Sequence, residues 1–195
     1  MKCNYNPFAL VRQNEVQRDI ETEVGVAFEM VHSYGEDHGM DDQYKVDPFW
    51  ENAAKCLMLA VMYYVYYELA EHEKNYDKVF ELVGKATDIK ADGTTEADPI
   101  FSALATLKPD HIAVRYWKEY ASGSVKVKKD VASTLNEVLS VYCEIMTEKT
   151  GAVVTALNDL MRSGEGVREY YDIIRILAKH YRGGVKAAED LQGKI

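Results

Sequence analysis

The chain has 195 residues, 47% hydrophobic and 28% charged, which is enough to bury a real core and too apolar for disorder. Its net charge of −9 opposes nonspecific binding of nucleic acid over the whole surface. Its three cysteines are odd in number and scattered, which points to small core residues in a reducing compartment rather than a disulfide framework.

The opening MKCNYNPFALVRQ lacks the apolar run of a signal peptide, so a cytoplasmic chain is expected. Asn6-Pro7 reads as a turn. Val16, Ile20, Val24, Ala27 and Val31 recur every three or four residues, which predicts a helix from about Asn14. Tyr34-Gly35 is expected to end it, with Gly35 in a left-handed cap. The stretch from Gly35 to Asp42 (GEDHGMDD) then reads as a solvated acidic loop, and no calcium-loop spacing is present.

Asp47-Pro48 pairs a capping side chain with a proline at the first helical position, opening a central helix over about residues 48–71. From Cys56 to Tyr67 every residue is apolar or aromatic, so this helix is expected to be buried all round. Twelve residues rise only about 18 Å, short of the roughly 30 Å of a bilayer core. Four tyrosines within it, Tyr63, Tyr64, Tyr66 and Tyr67, also need hydroxyl partners that lipid tails lack.

Asn75 is placed to cap a helix carrying Val79, Leu82, Val83 and Ala86. Asp98-Pro99 repeats the capping device and opens a short helix to Leu107, and Pro109-Asp110 starts another with Ala113, Trp117 and Tyr120 on one side. After Ser122-Gly123-Ser124 a long helix runs from Val125 to about Lys149, with Val127, Val131, Leu135, Val138, Tyr142 and Ile145 as its buried stripe. Short and long helical patterns follow over 152–161 and 165–182. The expected fold is all-α, one domain over residues 1–195 with about six to eight helices around the buried central one.

Residues 1–100 carry 9 basic and 20 acidic side chains, a balance of −11, whereas residues 101–195 carry 14 and 12, a balance of +2. The chain contains no phosphate-binding loop, no HExxH and no zinc-spaced cysteine pair. One Glu-x-x-His pair, Glu29 with His32, falls short of the two that a di-iron bundle uses. Composition and spacing therefore point to a non-catalytic helical domain with no cofactor and no metal.

Asn4-Tyr5-Asn6-Pro7-Phe8, an amphipathic helix, a polar loop, and then Asp47-Pro48-Phe49-Trp50-Glu51-Asn52-Ala53 opening a long apolar helix resemble the VirD4/TraG-like coupling ATPases of type IV secretion and conjugation, in their Gram-positive branch. The resemblance continues through Asn75 to Val83, Asp98-Pro99 with Phe101 and Leu104, Lys108 to Val114, and Lys126 to Leu139, covering about residues 4–142. It implies that the chain is the all-alpha domain alone, without the Walker motifs and membrane helices of a hexameric, membrane-anchored parent. Residues 144–195 depart from the pattern as a helical extension. The implied function is recognition of cargo on the cytosolic face: a relaxase, a relaxosome accessory protein or a secreted effector, with weak or no direct DNA binding and no membrane contact by this chain. Candidate partner-binding residues are the acidic set Glu36, Asp37, Asp41 and Asp42 and the basic set Arg115, Lys118, Lys126, Lys128 and Lys129. The other readings of the residues are a helical adaptor unrelated to conjugation and a ligand- or metal-binding bundle.

Overall fold

Apolar stripes of helical period, separated by capping residues and glycine, give six α-helices and no strand among the described residues. The computed structural model describes residues 6–37 and 48–144. In chain order the helices are α1 (Val16–Asp37), α2 (Pro48–Glu68), α3 (Tyr76–Thr87), α4 (Asp98–Leu107), α5 (Ile112–Ala121) and α6 (Val125–Glu144), with short 3₁₀ turns at Pro7–Leu10 and Glu71–Glu73. The helices expected over 152–161 and 165–182 lie outside the described residues. Contacts divide the chain into two units: residues 48–137 belong to one, and residues 6–37 with 138–144 to the other.

In the first unit α2 packs most extensively on α5 and then on α3, and α4 packs on α5. From Leu57 to Tyr63 every residue of α2 is buried, as is Val65. The end of the apolar run departs from the expected all-round burial: Tyr64 and Tyr66 are half-buried and Tyr67 is 44% exposed. Tyrosine suits that position, since its ring can be covered while its hydroxyl reaches water. The core between α2, α4 and α5 includes a stacked pair, Phe101 on Trp117, with ring centroids 4.1 Å apart. Tyr120 of α5 donates its buried hydroxyl to the Ala86 carbonyl at the end of α3, 2.9 Å away.

Caps fix where these helices begin. Asn75 accepts from the Lys78 amide and starts α3, as its sequence position predicts. The expected cap at Asp98 is different. Asp98 is already helical, and its carboxylate reaches back to the Thr95 amide (2.6 Å) and hydroxyl (3.2 Å). Thr95-x-x-Asp98 thus supplies the reaching-back half of a capping box one turn earlier.

The start of α5 also falls later than expected. Pro109-Asp110 forms a turn, and His111 is the cap, with Nδ1 accepting from the Ala113 amide at 3.2 Å. That bond places the imidazole proton on Nε2, which lies 3.2 Å from Glu68 Oε1 at the end of α2. Glu68 is held in turn by Lys108 Nζ at 2.8 Å.

In the second unit Asn6 caps the first 3₁₀ turn by accepting from the Phe8 amide. Arg12 then grips buried Asp19 through its backbone N–H (2.9 Å), Nε (3.0 Å) and Nη2 (2.6 Å), fastening the entry strand of chain onto α1. The stripe Val16, Ile20, Val24, Ala27 and Val31 is buried. The helix runs through Gly35 to Asp37 rather than stopping there, because one interior glycine costs only about 1 kcal/mol. Buried Glu23 of α1 accepts from the Tyr142 hydroxyl at 2.7 Å.

Two outcomes follow from these observations. Replacing Leu57, which has no exposed surface, by alanine should remove about 2–5 kcal/mol of a total of about 5–15 in a denaturant titration. A loss within experimental error would show that α2 is not the core of its unit. The second outcome concerns His111, whose pKa burial holds below its ordinary 6.5, with Lys108 acting in the same direction and Glu68 opposing both. The unfolded chain therefore takes up this proton first, so the contribution is complete above about pH 6.5 and is lost as pH falls below it. Melting temperature should drop between about pH 7.5 and 5.5, and His111→Asn, which keeps a capping acceptor, should flatten that drop. An equal drop in the variant would assign the effect to other groups.

Candidate functional site

Four residues of α2 share one face by helical spacing: Phe49, Asn52, Ala53 and Cys56 stand at i, i+3, i+4 and i+7. Two of them are small, so the face is hollow. With Glu119 and Tyr120 from α5, Ser122 and Gly123 from the following turn, and Val127 and Val131 from α6, they line an open groove of about 330 Å³ within the first unit. The volume falls at the lower end of the range for ligand sites. Gly123 keeps the groove wall close. A Cβ there would stand 3.0 Å from a Val127 methyl and 3.3 Å from the Tyr120 carbonyl, tighter than ordinary contact. Phe49, at the start of α2, is 58% exposed and packs edge-on against Trp50.

One lining side chain carries a formal charge, Glu119. Glu119 is itself exposed, so its carboxylate stands at the open side of the groove, next to the Cys56 thiol. Burial, then the Glu119 charge and a hydrogen bond to it, push the Cys56 thiol up to about 11. Cys56 is therefore protonated at neutral pH and a poor nucleophile. The sequence suggests a small core residue at position 56. In the structure it is half-buried and forms groove wall. The same hydroxyl of Tyr120 that bonds Ala86 is pushed up to about 12, by burial first and by the Asp98 charge second.

The basic set read from the sequence lies elsewhere in this unit. Arg115 and Lys118 occupy one exposed strip of α5, three residues apart, and the Arg115 guanidinium sits 4.9 Å from the Tyr116 ring. Lys126 and Lys129 are exposed and three apart on α6. Lys128 points away from them and donates to the Gly93 carbonyl at 3.2 Å. None of the five lines the groove. Of the acidic set, Glu36 and Asp37 are the last residues of α1, and Asp41 and Asp42 lie outside the described residues. No group of three or more His, Cys, Asp and Glu side chains converges among the described residues. No helix among them is long and apolar enough to cross a membrane.

Sequence inspection passed over the groove because its α2 face belongs to a helix whose apolar run reads as buried all round. The available signal was the stripe Phe49-Asn52-Ala53-Cys56, which interrupts large residues with small and polar ones. Cys56 gives a direct check on the groove. Alkylation at pH 8 should run at least about tenfold slower than at an exposed thiol, and Glu119→Gln should accelerate it. Rapid labelling at Cys56 in the native chain would show that the carboxylate does not face the thiol.

No family model, curated protein or solved structure matches this chain.

Proposed function

We propose that this chain is the all-alpha, cargo-recognising domain of a type IV secretion coupling ATPase, and that it works by binding a protein rather than by catalysis. The observation that carries the reading is the placement of the Pro48 to Cys56 block. It opens the helix on which the first unit is packed, and it also forms one wall of an open groove, with Phe49 at the start of the helix 58% exposed. The other segments that carry the family resemblance also fall on single elements. Asn75 to Val83 is the cap and body of α3, Phe101 and Leu104 are the buried face of α4, and Lys108 to Val114 is the turn and start of α5. A binding domain needs side chains displayed on a rigid support, and capped helices packed on α2 supply that support.

In this reading the partner is a relaxase, a relaxosome accessory protein or a secreted effector, met at the cytosolic face by a membrane-anchored, hexameric parent. The acidic balance of residues 1–100 favours a partner with a basic segment and disfavours duplex DNA. The four exposed basic residues Arg115, Lys118, Lys126 and Lys129 supply whatever weak DNA affinity exists.

Titration of the full chain against relaxosome proteins encoded with it, and separately against a labelled duplex, tests the reading. Saturable binding of a protein that weakens with salt is expected, together with weak or undetectable duplex binding. Exchanging Lys126 and Lys129 for glutamine should abolish any residual duplex signal and leave protein binding in place. Tight duplex binding with no protein partner would overturn the proposal. So would a parent reading frame that lacks Walker motifs on both sides of this domain.

A further inference from the structure

The groove combines one carboxylate with apolar walls, and that combination selects a ligand. Val127 and Val131 supply methyl groups, Phe49 a ring, Asn52 an amide, and Glu119 the single formal charge. Glu119 lines the groove beside Cys56 while remaining exposed, and it forms no ion pair among the described residues. Anions, including nucleotide phosphates and acidic peptides, are repelled from such a site. A purely apolar ligand seated over Glu119 would take water from the carboxylate and give it no cation in return, which is costly. A group with an aliphatic stem and a cationic head meets both requirements, because the stem lies on the valines while the head reaches the carboxylate.

We propose that the groove receives an arginine side chain from a basic segment of a partner protein, with its guanidinium on Glu119 and against the Phe49 ring. This rests on the reading of the chain as a protein-recognition domain. Arginine fits better than lysine because its planar fork pairs with a carboxylate through two bonds and stacks on an aromatic face. A peptide fits better than a free amine because one carboxylate at an open groove holds a cation weakly, so affinity must come from flanking residues along the walls. The groove is open and larger than a single side chain needs, which leaves room for those neighbours.

The test uses the full chain and a fluorescein-labelled pentapeptide with a central arginine between two leucines. Its control carries citrulline, the neutral isostere, in place of arginine. Saturable binding of the arginine peptide is expected, with the citrulline peptide weaker by about tenfold or more. Glu119→Gln should weaken the arginine peptide by a similar factor and change the citrulline peptide little, and methyl resonances of Val127 and Val131 should move on binding. Equal affinity for the two peptides, indifference to Glu119→Gln, or no saturable binding would each overturn the inference. The same variant separates this inference from the function proposed above. If a relaxosome protein binds the Glu119→Gln chain as tightly as the native one, the groove assignment falls and the cargo-recognition reading stands. If the arginine peptide binds as expected and no relaxosome protein binds, the groove assignment stands and the reading falls.

Discussion

Burying a helix that has almost no polar face is the constraint from which the first unit follows. From Leu57 to Tyr63, α2 offers water nothing, so neighbours must cover it on every side. The helices that do so are short: α3, α4 and α5 have 12, 10 and 10 residues, below the length at which isolated helices hold together in water. Each depends on the apolar surface of its neighbours and on its own cap. The exchange is mutual, since α2 is shielded only when its neighbours are folded, and they gain their stability only by packing. The Glu68, Lys108 and His111 cluster shows the same dependence at the polar edge, where the end of α2 and the cap of α5 share one carboxylate.

Much of this was legible in the sequence because periodicity reports burial directly. The α1 stripe, the buried faces of α3 and α5 and the capping role of Asn75 are all present in the structure. The places where inspection fell short share a physical cause, which is that competing local bonds of similar strength decide the outcome. Asp98 could cap its own helix or reach back to Thr95, and the Thr95 amide won. Pro109-Asp110 has the composition of a helix start, yet an imidazole two residues later captured the first free amide. Gly35 has the composition of a stop, but nothing in a glycine forces one. The groove was harder still. It is made by residues far apart in sequence, and its one charged residue, Glu119, stands among ordinary surface charges in the chain. Only the packing of α2, α5 and α6 brings Glu119 and Cys56 to one groove.

The electrostatics of the chain are thus layered. A diffuse acidic excess over residues 1–100 acts at a distance on whatever approaches and falls off within about 8–10 Å at physiological salt. The Glu119 carboxylate, exposed at the open groove, acts at short range on a group that enters between the apolar walls. If a basic partner binds as proposed, the first property raises how often it arrives and the second bears on which side chain it presents.

The buried tyrosine hydroxyls have a consequence of a different kind. A helix with a nearly uniform apolar surface can rotate or slide in its sheath with little loss of buried area, so hydrophobic burial alone would permit several packings of similar energy. Directional bonds remove that degeneracy. Tyr120 meets its carbonyl at Ala86 in one rotation of α5 only, and within the second unit Tyr142 meets Glu23 in one placement of residues 138–144 on α1 only. A phenylalanine at either position would bury as much ring and name no partner. In this chain tyrosine does more than fill space: its hydroxyls select one arrangement of the helices from among several that are equally greasy.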